Sequence, residues 1–123
     1  MSVPRQVLSL VIPSRPDSHT LSACLRAVAQ QTLKPDEVLV IRDHALRGPS
    51  WARNQGIART RGDLIAFLDD DCLPPAHWLQ HLVDAMMRHA ADGAGGNYLE
   101  TDPFLDEIRK RKKLPTHEGH RPF

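Results

Sequence analysis

The sequence is short of the features that mark several protein classes. Its two cysteines, Cys24 and Cys72, are too few and too far apart for a disulfide framework, and the paired-cysteine spacing of a structural metal site is absent. A reducing, cytoplasmic setting fits that usage. Lys and Arg number 16 against 15 Asp and Glu, a formal net charge of +1, so the basic excess that draws nucleic acid is missing. No nucleic-acid partner is expected, and any polyanion has to be met by local groups. The apolar stretches at 8–12 and 64–68 fall far below the roughly 20 residues that a spanning helix needs. Residues 1–5 lack the charged and apolar pattern of a secretory signal. Neither an internal repeat nor a low-complexity linker is present. No Gly-x-Gly-x-x-Gly follows the first apolar segment, which disfavours a dinucleotide enzyme. No Gly-rich, Lys- or Arg-bearing phosphate loop follows Ile12, which disfavours a nucleotidyltransferase.

At 123 residues, the chain is long enough for one core and too short for two. Residues 7–12 are short, apolar and β-branched, and Pro13 should stop them, which reads as a strand buried on both faces. A helix should follow, with Ser18 as N-cap and Leu21, Cys24, Leu25, Val28 and Thr32 on one face, closed by Pro35. Residues 37–41 read as a second buried strand ending at Arg42 and Asp43. Gly48-Pro49-Ser50 starts a second helix, which Gly62 should terminate. Residues 63–68 form a third strand running into Asp69, Asp70 and Asp71. Pro74 and Pro75 should start a third helix with Trp78, Leu79, Leu82, Val83, Met86 and Ala90 as its apolar stripe. A short fourth strand is expected at 94–99 and a last helix at 104–113. The domain is expected to span 1–113, with a loosely held polar tail at 114–123.

Strands separated by helical patterns imply right-handed βαβ units, hence an α/β fold with a mostly parallel, Rossmann-like sheet and helices on both faces. Ligands of such sheets sit beyond the carboxyl ends of the strands. Pro13 and Ser14, Asp43, and the aspartate triplet all fall there. Three carboxylates held together at the end of one strand repel unless a cation is present, and carboxylate oxygens suit Mg2+ or Mn2+. Such an ion takes one or two protein carboxylates and completes its shell with water and substrate phosphates. The alternative is an acidic turn that merely caps a helix or sits in solvent.

Four ordered segments raise the metal reading. Leu8-Ser-Leu-Val-Ile-Pro-Ser14 with the helix from Cys24 to Gln31, Glu37-Val-Leu-Val-Ile-Arg-Asp43, Trp51-Ala-Arg-Asn-Gln-Gly-Ile57 and Gly62-Asp-Leu-Ile-Ala-Phe-Leu-Asp-Asp-Asp71 resemble, in order and spacing, the nucleotide-sugar-binding half of family 2 glycosyltransferases. The resemblance covers residues 8–96. It implies a GT-A fold cut short before the acceptor half, and metal-dependent, inverting transfer of a sugar from a nucleoside-diphosphate sugar of the UDP type to an acceptor hydroxyl. It further implies that Asp43 contacts the base, that Pro13 and Ser14 line the base and ribose, and that Arg53 and Asn54 lie near the diphosphate or base pocket. Asp69 would lie near the ribose and share the metal with Asp71, its main ligand, while Asp70 takes the variable middle position. For Arg53 and Asn54 the alternative is helix capping or solvent exposure.

Two positions depart from the family pattern. Arg42 replaces the first aspartate of a pair, and His44-Ala45 replaces a small Gly-Ser, so the wall beside the base differs in charge and bulk. Arg42 either approaches a phosphate or turns outward. The general base that an inverting enzyme needs is not identified; Glu100, Asp102, Asp106 and Glu107 read as helix start and surface. His77, His81 and His89, on mixed faces of a helix, and His117 and His120 in the tail, are expected to be exposed. The basic run 109–113 either meets anionic headgroups of a membrane's inner face, as a lipid-linked acceptor would suit, or is a solvated helix end. The chain reads as a complete minimal protein, a truncated product or a fragment of a longer enzyme, and since it starts at Met1 any truncation is expected on its C-terminal side. A second reading is therefore kept open, a non-catalytic nucleotide-sugar-binding module that lacks the acceptor site. An exposed sheet edge in place of the second half would favour a homodimer or a partner chain.

Overall fold

The computed structural model describes residues 6–96. Its elements are β1 (Leu8–Ser14), α1 (Leu21–Ala29), β2 (Glu37–Arg42), α2 (Pro49–Arg59), β3 (Leu64–Phe67) and α3 (Trp78–His89). Packing divides the chain after Leu79. In the first unit three parallel strands lie in the order β2-β1-β3, with Leu10 paired to Val38 on one side and to Ala66 on the other. The α/β class and the parallel sheet expected from the alternating patterns are therefore present.

β1 is the centre of the sheet because it can be buried on both faces. Leu8, Ser9, Leu10, Val11 and Ile12 are all buried. Leu10 and Ile12 meet Leu21, Cys24 and Val28 of α1, with Leu68 and the half-buried Val40, Ala66 and Trp78 around them. On the opposite face Val11 and Ile41 meet Ala52 of α2, beside Leu39 and Trp51. Each fully buried aliphatic side chain of this kind contributes about 1.5–3 kcal/mol of transfer free energy. Gly56 lets α2 lie close against the sheet: a Cβ there would stand 2.3 Å from Val11 Cγ1. One helix therefore covers each face. α2 lies over β1 and β2, and on β3 Ile65 and Phe67 stay exposed at 36% and 40%.

Several boundaries differ from expectation. β1 continues through Pro13 to Ser14. The carbonyls of Leu8 and Ser14 bond toward β2, and those of Val7 and Val11 toward β3. Pro13 therefore directs its missing N–H to the β3 side, where pairing has already ended at Phe67. The N-cap of α1 is Thr20, without a side-chain cap bond, rather than Ser18. Ser18 belongs to the preceding turn, its N–H donating to Arg15 O at 3.1 Å. α2 ends at Arg59 with Thr60 as C-cap, so Gly62 is not its terminator. Gly62 is needed for close approach, since its Cβ would stand 2.3 Å from Ser9 Oγ. Pro75 opens a turn, closed by Trp78 N–H to Pro75 O at 3.0 Å, with Pro74 before it, and α3 begins only at Trp78.

In the second unit, residues 80–89 complete α3 and carry Leu82, Val83 and Met86 half-buried. Residues 94–96 are not in a strand. The remainder of the expected fourth strand, the helix at 104–113 with its basic run, the tail at 114–123, the four late carboxylates, His117 and His120 lie outside the described residues. His77, His81 and His89 are exposed, as expected. No helix among the described residues is long and apolar enough to cross a membrane.

Candidate functional site

The carboxyl ends of the three strands bring most of the candidate residues to one edge. Ser14 closes β1, Asp43 follows β2, and Asp69, Asp70 and Asp71 follow β3. The acidic segment is a turn: Cys72 N–H donates to the Asp69 carbonyl at 3.1 Å, and Cys24 Sγ reaches the same oxygen at 3.6 Å. Closing residues i and i+3 in this way sets Cys72 beside Asp69.

Within that turn each carboxylate takes a different partner. Asp70 Oδ2 accepts from Ser14 Oγ at 2.8 Å, and Ser14 is buried. Asp69 Oδ1 accepts from Arg53 Nη2 of α2 at 3.2 Å, in a largely exposed ion pair. Among the described residues, Asp71 Oδ1 receives only a long contact from Cys72 Sγ at 3.8 Å. One donor atom each of Asp69, Asp71 and Cys72 lie within 4.8 Å of one another. Two exposed carboxylates and one thiol, all facing one another, form a donor set that fits a divalent cation and leaves most of its shell to water or ligand oxygens.

Asp43 serves its own loop. Its Oδ1 accepts from Arg47 N–H at 2.8 Å and its Oδ2 from Gly48 N–H at 2.7 Å. Burial alone would raise its pKa, but the two backbone donors, helped by Arg47 and Arg15, hold it below the usual carboxylate range. That clasp fixes residues 44–48, where Leu46 has φ 53° and Gly48 φ 109°, the left-handed region. Pro13 is half-buried on the α2 face, paired with Ile41. Asn54 is exposed on α2, with no side-chain hydrogen bond among the described residues. Arg42 is exposed and donates to the Arg15 carbonyl at 3.2 Å. Beside Asp70, a cavity of about 180 Å3 is lined by Arg15, Asp17, Ser18, His19 and Thr20.

Two contributors escaped sequence reasoning. Cys72 was visible only as the residue after the triplet, and the turn geometry is what brings it into the donor set. Gln31 is 2% exposed; its amide donates to the carbonyls of Pro74 and Pro75 and accepts from Leu79 N–H at 3.1 Å. It anchors the segment that leaves the acidic turn. Burial pushes the Cys24 thiol up to about 11, with Cys72 and the three aspartates adding to it; Cys72 is raised by burial and by Asp71 and Asp69.

The sequence profile of glycosyl transferase family 2 matches residues 41–122, so the likeness runs past residue 96, where the resemblance read from the sequence ends. Glycosyltransferase AglE of Haloferax volcanii is 29% identical over 123 aligned positions, taking in 78% of this chain and 40% of its own length. The UDP-Glc:alpha-D-GlcNAc-diphosphoundecaprenol beta-1,3-glucosyltransferase WfgD of Escherichia coli is 27% identical over 115 positions, taking in 75% of this chain and 46% of its own length. The chain spans less than half the length of either relative.

Proposed function

This chain belongs to glycosyl transferase family 2, and from that premise we propose that it is the donor-binding part of an enzyme transferring a sugar from a nucleoside-diphosphate sugar to an acceptor hydroxyl. The observation that carries the reading is the meeting, at one sheet edge, of an exposed two-carboxylate donor set with Arg53 and the clasped Asp43 loop. A diphosphate leaving group needs its charge neutralised, and Mn2+ or Mg2+, held by Asp71 and Asp69, would supply that neutralisation.

In this reading Asp71 and Asp69 hold the ion, and Asp69 also faces the ribose. Arg53, paired with Asp69 in this structure, would face the diphosphate with the ion bound, and Asn54, one position on, would line the same side. Asp70 and Ser14, bonded to each other, form a fixed wall beside Pro13 toward the base and ribose. Asp43 keeps further lone pairs on oxygens already held by backbone donors, and one of them accepts the imide N–H of a uracil-type ring. A UDP-type donor is supported by WfgD, whose name specifies UDP-Glc and a lipid-linked acceptor. A lipid-linked or other glycan acceptor, inversion at the anomeric carbon and a place on the cytoplasmic face of a membrane, with the basic run 109–113 against headgroups, belong to the same proposal. The donor domain is taken as 1–113. The acceptor side and its general base are assigned to a further segment or a partner chain, since the matched region covers under half of each relative. If donor binding occurs without transfer to any acceptor, the alternative of a binding module takes its place.

Calorimetric titration of UDP with and without Mn2+, into wild type and Asp71→Ala, tests the donor site. Mn2+-dependent binding that disappears in the variant is the expected result. Wild-type protein that binds neither UDP nor GDP under any metal condition would overturn the reading.

A further inference from the structure

We propose that Cys72 is a third, sulfur ligand of the cation held by Asp69 and Asp71, and that it biases the site toward a thiophilic divalent ion over Mg2+. The inference rests on the metal reading of the donor site given above. The structure divides the three consecutive aspartates between two roles. Asp70 is drawn to the buried Ser14 hydroxyl, and the third donor facing Asp69 and Asp71 is the Cys72 sulfur. The turn that closes from Cys72 N–H to the Asp69 carbonyl sets the two side chains on one side of the chain.

Cys72 is also held in place. It packs half-buried against the core cluster that contains Cys24 and Leu68, whereas Asp69 and Asp71 are exposed. Cys24 is fully buried, its thiol spent on the Asp69 carbonyl, and lies outside the donor set. Two atoms bound to one cation at about 2.0–2.3 Å stand at most about 4.6 Å apart. With the three donors already within 4.8 Å of one another, small side-chain rotations close the set. On coordination the sulfur lends a lone pair to the ion and its proton passes to water; no electron is transferred.

Mg2+ gains little from sulfur, while Co2+, Zn2+ and to a smaller degree Mn2+ gain more. The test is Co2+ titration of the full chain, kept reduced with a phosphine, following thiolate-to-cobalt charge-transfer absorption in the near ultraviolet. Wild type should show a band that saturates at about one Co2+ per chain, as a single site requires. Cys72→Ala and Cys72→Ser should both lack it. Their Co2+ affinity should fall by about tenfold or more, with Mg2+ affinity changed less than about twofold. Circular dichroism reports whether the variants fold, and the wild-type band needs neither of them. Co2+ bound without the band, a band that survives in Cys72→Ala, or an equal fall in Mg2+ affinity would each overturn the role of Cys72 and leave the two-carboxylate site standing. Failure of wild type to bind Co2+ or Mn2+ at all would overturn both.

Discussion

At the amino-terminal edge of the sheet, acidic side chains are taken up by the fold itself. Asp36 Oδ2 accepts from Leu8 N–H at 2.8 Å, Asp63 Oδ2 from Val7 N–H at 2.9 Å, and Glu37 Oε1 from both Ser9 Oγ and Arg61 N–H at 2.6 Å. At the carboxyl-terminal edge of the same strands, Asp69 and Asp71 face each other and a thiol, with one exposed guanidinium nearby. The difference lies in what each carboxylate faces. Where strands begin, unpaired N–H groups point outward and a carboxylate satisfies them. Beyond β3 the exposed carboxylates of Asp69 and Asp71 lie beside each other and a thiol, a set that fits a divalent cation. Asp43 is the exception: it stands at the carboxyl edge but holds backbone donors as the amino-edge residues do.

The largest effect that separates the edges is expected for Asp71→Ala. Removing a charged ligand should weaken Mn2+-dependent UDP binding by about 100-fold, equivalent to about 2.7 kcal/mol. Thermal stability should move by less than about 0.5 kcal/mol, because the side chain is exposed. Gly62→Ala should do the reverse. Its Cβ would meet Ser9 Oγ at 2.3 Å and the Leu64 carbonyl at 2.7 Å, an overpacking that costs about 1–3 kcal/mol in chemical denaturation. Mn2+ affinity of the folded variant should stay at the wild-type value. A variant at either edge that moved both readouts together would break the division.

Acid should find the amino edge as well. The Arg61 N–H and the Ser9 hydroxyl hold the Glu37 carboxyl below its ordinary range, burial acting against them. A group whose folded pKa is depressed stabilises fully above its unfolded value, and that contribution is lost as pH falls through the folded one. Wild-type stability should therefore drop on acidification below about pH 5. Glu37→Gln should be less stable at neutral pH and should show a flatter fall, measured as urea midpoints across the acid range. Equal slopes for the two proteins would remove Glu37 from the account.

Periodicity was enough to place three strands and three helices, most plainly β1, buried along Leu8–Ile12, and α1, which buries Leu21, Cys24 and Val28 on one face. Two of the boundaries it misplaced depend on partners distant in sequence. Pro13 stays in β1 only because β3 has ended beside it, and the two prolines at 74 and 75 precede α3 with their carbonyls anchored by Gln31, just beyond the end of α1. The same holds at the site. The acidic triplet was legible as a metal-binding candidate, and the strand ends placed Ser14 and Asp43 at its edge. That Asp70 would be drawn to Ser14, that Asp43 would bind its own loop, and that Cys72 would complete the donor set depend on turn closure and side-chain direction, which no spacing encodes.

The smallest expected effect sharpens the comparison most, because it asks whether the Arg53–Asp69 pair belongs to the fold or to the site. As a fold contact it is weak: side chains 39% and 57% exposed, 3.2 Å apart, of a type worth about 0–1 kcal/mol. Arg53→Ala should therefore change stability by less than about 0.5 kcal/mol. A guanidinium and a divalent ion cannot both neutralise the same carboxylate oxygen, so loss of Arg53 should raise Mn2+ affinity in the absence of nucleotide by about two- to fivefold. If Arg53 then transfers its charge to the diphosphate, the same variant should bind UDP less tightly in the presence of saturating Mn2+. Opposite signs for ion and nucleotide are the outcome that a helix-capping arginine would not produce. Parallel changes, or none, would return Arg53 to the surface of α2 and leave Asp69 and Asp71 to hold the ion unaided.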